Sequence, residues 1–187
     1  MWSADVSRGV PLALVDLGDT LAECTPALEA GLARLGSSHA ALGADVRRLH
    51  VMSAPGFWLQ LVPRPAGFAL LGQLREAGYR VAVLTKGPRA PGHVWADKVA
   101  WCRAHLPDVP VIITDDKSLV AGDLLVDDWL PYVEDWQRCW PGGRAIVPAQ
   151  PWNKSMTSNG RRIRDDGAMA PVIAAWLRDK GADAAVP

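Results

Sequence analysis

Five short apolar runs recur along this chain, at Val10–Val15, Val81–Leu84, Val111–Thr114, Leu124–Val126 and Ala145–Val147. Each is nearly continuous and lacks the every-second-residue alternation of a strand with one wet face, so each must be covered on both sides. The stretches between them have helical character. Pro26–Leu35 is expected to be a helix with Thr25 as N-cap and Pro26 as its first residue. Arg64–Ala77 is expected to be a second, ended by Gly78. Pro91–His105 reads as a third, with Val94, Trp101 and His105 on or near one side. In Met169–Lys180 an apolar stripe of Met169, Val172, Ile173, Trp176 and Leu177 predicts a fourth. Doubly covered strands alternating with helices predict an α/β fold: a Rossmann-like three-layer sandwich around a parallel sheet with right-handed crossovers. The segment 25–63 is too long for one crossover and is expected to be a small helical cap insertion after the first strand, within a single domain spanning 1–187. Ala149–Asp166, rich in Pro, Asn, Ser, Gly and Arg, is expected to be an irregular connection.

Composition narrows the function classes. A chain of 187 residues is long enough to bury a core. Its 20 Lys and Arg balance 20 Asp and Glu, so a nucleic-acid polymer is not an expected partner. No apolar run approaches the roughly 18–20 residues of a membrane span, and no membrane partner is expected. The first residues lack the basic start and long apolar segment of a secretory signal. The three cysteines, Cys24, Cys102 and Cys139, form no CxxC and are expected to be buried thiols in a reducing cytoplasm. The four histidines do not cluster, which argues against a zinc site.

The chemistry sits where the strands end. In an open parallel sheet, ligands bind beyond the carboxyl ends of the strands. There this sequence places Asp16, then Thr85–Lys86, then Asp115–Lys117, then Asp127–Asp128. A single Asp or Thr at such a turn means little, because these residues favour turns for local hydrogen bonding. Four successive strand ends carrying carboxylates, a hydroxyl and lysines suit phosphoryl transfer. A carboxylate attacks phosphorus, further carboxylates hold Mg²⁺, and a hydroxyl and an ammonium hold the phosphate oxygens. The adjacent acids Asp127 and Asp128 repel each other, and a cation relieves that. Asp123, which precedes its apolar run, is expected to face solvent or cap the strand start.

Four segments in order, DLGDTL, VAVLTKGP, DDKS and GDLLVDD, resemble the motifs of the haloacid-dehalogenase superfamily. A finer resemblance, to the 5′(3′)-deoxyribonucleotidases, rests on PGFWLQLVPRPAG, KVAW, DKSLVAGDLLVDD and PWN. The resemblance implies a Mg²⁺-dependent phosphomonoester hydrolase acting on a (deoxy)nucleoside 5′-monophosphate, with Asp16 as the nucleophile that forms an aspartyl-phosphate. It implies that Asp16, the backbone carbonyl of Gly18, Asp127 and Asp128 bind Mg²⁺. Thr85 would hold the phosphate and Lys117 would offset its charge. Lys86 and Lys98 would lie on the substrate side, and Phe57 and Trp58 would lie over the nucleobase.

One position departs from the pattern. Superfamily phosphatases carry a second Asp two residues after the nucleophile, to protonate the leaving oxygen and later activate water. Here that residue is Gly18. Loss of such an acid costs on the order of 10²–10⁴-fold in rate. Two alternatives to an ordinary phosphatase follow: a nucleotide-binding or regulatory protein with little turnover, or a superfamily hydrolase of other chemistry. Asp19 is the first candidate for a substitute acid.

Overall fold

The computed structural model describes residues 9–88, 91–154, 161–163 and 174–175. Its sheet has six parallel strands: β1 (Leu12–Val15), β2 (Arg80–Lys86), β3 (Val111–Thr114), β4 (Leu124–Val126), β5 (Arg144–Pro148) and β6 (Arg161–Ile163). They lie in the order β3-β2-β1-β4-β5-β6. The five predicted strands are all present. β6 is an addition, falling inside the segment expected to be irregular.

The strands alternate their side chains between two cores, as a pleated strand must. Ala13 and Val15 of β1, Val81 and Val83 of β2, and Leu124 and Val126 of β4 belong to one cluster. There they meet Leu70, Leu71 and Leu74 of α3 (Pro65–Glu76) and Val94, Trp101 and Cys102 of α4 (His93–His105). Leu14, Ala82, Leu84 and Leu125 point the other way, onto Val133 and Trp136 of α5 (Leu130–Cys139). This double cover is why the runs are apolar throughout. α5 has no counterpart among the predicted helices, although Pro131 in its first turn and the buried Val133 and Trp136 mark it. The expected helix Met169–Lys180 lies outside the described residues apart from 174–175, which are helical.

Between β1 and α3 the chain forms α1 (Cys24–Ala33), a 3₁₀ turn at Ser37–His39, α2 (Ala44–Met52) and a 3₁₀ turn at Trp58–Gln60. The two ends of this insertion are stitched together. Glu23 N donates to Val62 O at 2.9 Å, and Arg64 N donates to Leu21 O at 2.8 Å. Gly67 lets α3 press on the loop after β1: a Cβ there would fall 2.0 Å from the Thr20 carbonyl oxygen. α3 ends as predicted, at Gly78 with φ of +86°, a left-handed conformation that glycine adopts without strain.

α1 starts two residues earlier than predicted, and Thr25 is not its N-cap. The N-cap is Glu23, which makes no side-chain cap bond; Asp19 in the preceding loop supplies the acceptor, its Oδ1 accepting from Cys24 N at 3.0 Å and Thr25 N at 2.8 Å. The cysteines also differ in part: Cys24 and Cys102 are buried, but Cys139 is exposed, and all three are free thiols. Asp123 bonds the strand start, accepting from Leu12 N at 2.7 Å. Among the described residues no helix is long and apolar enough to cross a membrane.

Candidate active site

β1 and β4 are neighbours at the centre of the sheet, where the connections change direction. That switch point leaves a crevice beyond the strand ends. The sheet's hydrogen bonding runs one residue past each strand: Asp16 N donates to Val126 O at 2.8 Å, and Asp127 N to Ile146 O at 3.2 Å. Both carboxylates are thereby held by the rigid part of the fold. Asp16, Asp127 and Asp128 each offer an oxygen, and these oxygens lie within 4.8 Å of one another.

Lys117 sits among them on a 3₁₀ turn (Lys117–Leu119) that follows β3. Asp116 caps this turn, accepting from Ser118 N at 2.9 Å and Ser118 Oγ at 2.7 Å. The buried Lys117 ammonium bonds Asp16 Oδ1 at 2.5 Å and Asp127 Oδ2 at 2.6 Å. Burial by itself would lower the lysine's pKa; Asp127 and Asp16 outweigh it and hold the group charged. Asp127 is raised by its burial and by Asp16, with Lys117 opposing. Its other oxygen accepts from Trp129 N at 2.9 Å.

Asp128 is placed differently. Thr20 Oγ1 donates to its Oδ1 at 3.3 Å and Trp152 Nε1 to its Oδ2 at 3.0 Å, but no cation reaches it among the described residues. Burial, then the charges of Asp16 and Asp127, push its carboxyl up to about 8. The Asp128 carbonyl accepts from Asn153 Nδ2 at 3.0 Å, and the same amide donates to Pro148 O at 2.8 Å. Asp16 and Asp127 therefore share the one lysine, and Asp128, left without a cation, is held back from ionising. Hard oxygen donors in such a cluster fit a small divalent cation such as Mg²⁺ better than a soft metal.

Thr85, the last buried residue of β2, accepts at Oγ1 from Lys98 Nζ at 3.1 Å. Lys98 reaches in from α4 and also donates to Lys86 O at 2.6 Å. Its ammonium lies 3.7 Å from the centroid of the Trp58 ring. Trp58 is 4% exposed, and its indole N–H donates to Met52 O at 2.9 Å. An aromatic so enclosed presents no open face to a base. Phe57 meets it edge-on, centroids 5.4 Å apart, and is only partly buried.

Gly18 does not have a positive φ, so its backbone does not require glycine. A Cβ there would meet Cys24 Cβ at 3.7 Å and the Trp58 ring edge at 3.8 Å, both ordinary contacts. Asp19 does have a left-handed backbone, with φ of +52°. Besides its two bonds to α1, its carboxylate accepts from Thr25 Oγ1 at 2.8 Å. Its carbonyl accepts from Arg64 and from Gln150 Nε2, the latter at 3.0 Å. Asp19 is thus engaged as a helix cap, and the geometry does not offer it as the substitute acid. Cys24, whose thiol is pushed up to about 12 by burial and by Asp19, is a packed group and a reluctant proton donor.

Lys86 is exposed, and its ammonium lies 4.7 Å from the centroid of the Tyr132 ring. Lys117 lies 5.2 Å from the same centroid. These residues and Arg138 line a cleft of about 660 Å³, to which Asp16, Asp127 and Asp128 do not contribute. Tyr132, Thr20 and Trp152 are site neighbours beyond those expected from the sequence. Thr20 and Trp152 stand inside the DLGDTL and PWN segments, so a signal was present; Tyr132 belongs to the unpredicted α5.

A family model described as 5′ nucleotidase, deoxy (pyrimidine), cytosolic type C protein matches residues 44–169. The "Putative 5′(3′)-deoxyribonucleotidase" of Bordetella parapertussis is 32% identical over 114 residues, 59% of this chain and 60% of that protein. The human 5′(3′)-deoxyribonucleotidase, cytosolic type, is 34% identical over 82 residues, 42% of this chain and 41% of that protein. The chain thus spans less than two thirds of the length of these relatives. Among solved structures, a haloacid dehalogenase-like family hydrolase from Streptococcus pneumoniae superposes with a TM-score of 0.58 at 9% identity, over 90% of this chain and 98% of the other. Another from Xanthomonas campestris gives 0.55 at 14% identity, over 93% and 98%. These share the fold. With more than half of its residues matched by the family model, the chain belongs to the cytosolic type C 5′-nucleotidase family.

Proposed function

We propose that the protein is a Mg²⁺-dependent phosphomonoester hydrolase whose substrate is a (deoxy)nucleoside 5′-monophosphate. The observation that carries this reading is the cluster of Asp16, Asp127 and Asp128 around Lys117, with Asp128 lacking a cation partner. Asp16 is the nucleophile. Pinned by the sheet and by Lys117, it attacks phosphorus with its other oxygen and carries the phosphoryl group as an aspartyl-phosphate. Thr85 and Lys117 hold phosphate oxygens, and Lys98 lends charge behind Thr85.

Asp16, the Gly18 carbonyl, Asp127 and Asp128 are the groups that would hold Mg²⁺, and Asp128, as the acid no cation neutralises, would be a direct ligand. When bound, the ion offsets the charge on the phosphate and on the carboxylates. The helical segment 25–63 serves as a cap over the strand ends. Of the aromatic pair, Phe57 is the one to contact the nucleobase; Trp58, enclosed beneath Lys98, acts through that lysine. Lys86 and Tyr132 border the approach to the site.

The names of the relatives and the family model support the nucleotide substrate, and the human relative's name supports a cytoplasmic setting. Gly18 favours a second reading, in which nucleotide binds and turnover is slow. Phosphate release measured across nucleoside monophosphates and small sugar phosphates, with Mg²⁺ and then with EDTA, tests both. Nucleotides should be preferred, and EDTA and Asp16→Asn should each abolish release. Nucleotide-induced thermal stabilisation without release would favour the second reading. Release that survives Asp16→Asn would end the first.

A further inference from the structure

Lys98 is a buried cation without a counter-ion. It is 4% exposed, as Lys117 is, yet Lys117 has two carboxylates and Lys98, among the described residues, has none within ion-pair distance. An ammonium loses several kcal/mol of hydration on burial, and a fold that leaves one unpaired is using it. Two of its N–H groups go to Thr85 Oγ1 and Lys86 O. The third has no oxygen partner among the described residues; the Trp58 ring lies beneath the ammonium. A cation–π contact is weaker than a 2.6 Å charge-assisted hydrogen bond, so this third proton is the one free to leave.

The same indole touches the place of the missing acid. The edge of Trp58 lies 3.8 Å from where a side chain at position 18 would begin, and its face carries Lys98. The charged and titratable groups that act on Lys98 are Asp16 after β1, Lys117 after β3, Cys24 of α1 and Cys102 of its own helix. Burial dominates and lowers the ammonium to about 8, with Asp16 opposing. A group titrating there can both give and take a proton near neutral pH. The other candidates are committed: Asp19 caps α1, Lys117 is clamped between two carboxylates, and the Cys24 thiol holds its proton too tightly.

We propose that Lys98 carries the proton that Gly18 cannot, acting from its seat between Thr85 and Trp58 as general acid and then general base. This rests on the phosphomonoesterase reading above. In the first half, a carboxylate oxygen of Asp16 bonds to phosphorus and the phosphorus–ester oxygen bond breaks. The leaving alkoxide takes a proton from the Lys98 ammonium and departs as the alcohol, leaving a neutral amine. In the second half, water bonds to phosphorus and gives a proton to that amine. The Asp16 oxygen–phosphorus bond breaks, inorganic phosphate leaves, and Lys98 is an ammonium again.

The test compares wild type, Lys98→Met, Lys98→Arg and Lys98→Met with Gly18→Asp, all with Mg²⁺. The substrates are a nucleoside 5′-monophosphate, whose alkoxide must be protonated, and p-nitrophenyl phosphate, whose phenolate leaves without help. In a single turnover, Lys98→Met should slow nucleotide cleavage by roughly 10²–10⁴-fold and the p-nitrophenol burst far less. Lys98→Arg keeps the charge but cannot give up its proton, so it should resemble Lys98→Met on the nucleotide. Adding Gly18→Asp to Lys98→Met should restore nucleotide cleavage. Wild-type cleavage should fall as pH rises through about 8, and this limb should be missing from Lys98→Met. Equal losses on both substrates, or full activity in Lys98→Arg, would reduce Lys98 to a phosphate-holding charge and overturn the proposal while the hydrolase reading stood. Wild-type protein that cleaves neither substrate would overturn both.

Discussion

Asp128→Asn should stabilise the metal-free protein and remove its response to Mg²⁺. In the wild type, burial and the neighbouring carboxylates hold the Asp128 carboxyl at about 8, well above its ordinary 3.8. The unfolded chain gives up this proton near 3.8 and the folded chain keeps it until about 8. Stability from this group is therefore fully present below the lower value and lost as pH rises to the upper one. At about 1.4 kcal/mol per pH unit, the loss reaches about 4 kcal/mol at pH 7.

Asparagine has no charge to bury, so it escapes that loss. It presents one oxygen where the acid presents two, so it forfeits one of the bonds from Thr20 and Trp152, worth about 1–2 kcal/mol. The net gain is about 2–3 kcal/mol in EDTA at pH 7. For a chain of this size that raises Tm by roughly 4–12 °C. The measurement is thermal unfolding of both proteins in EDTA at pH 4 and pH 7, then with Mg²⁺ at pH 7. At pH 4 the ionisation loss is nearly gone and the forfeited bond remains, so the variant should there be the less stable by about 1 kcal/mol, and Mg²⁺ should raise Tm of the wild type only, by mass action. A variant less stable than wild type at pH 7 in EDTA, or one stabilised by Mg²⁺ to the same degree, would refute the charge argument.

Lys117→Met should be destabilising by about 3–5 kcal/mol near pH 8, because it strands two buried carboxylates. Denaturant titration at lower pH should show the deficit shrinking, since Asp127 is already raised and takes up a proton more readily without the lysine. Asp19→Ala removes the side-chain cap of α1 and should cost about 1–2 kcal/mol in the same titration. If Asp19 is only a cap, the pH dependence of nucleotide cleavage should keep its shape in that variant. A thiol reagent should modify Cys139 alone in the native protein and all three cysteines after denaturation, as mass spectrometry can count.

The local sequence by itself determined the strands. An apolar run bounded by turn residues has few places to go, and the five runs became five strands within two residues at each end. Asp16, Thr85, Lys117, Asp127 and Asp128 were legible for the same reason: once the strands are parallel, their carboxyl ends share an edge. α5 was overlooked in a stretch where only two of ten residues are buried, and β6 was hidden in a segment dominated by turn formers. What only the tertiary structure decided is which partner each polar side chain meets. Nothing local tells that Asp19, next to the candidate metal ligands, turns back to cap α1, or that Trp58 is roofed by Lys98 while Phe57 remains partly open. Lys98 and Lys117 read alike as lysines in sequence, yet one is held by two carboxylates and the other by a hydroxyl, a carbonyl and an indole. Those contacts join residues from 10 to 101 positions apart, and the charge each group carries in the fold depends on them.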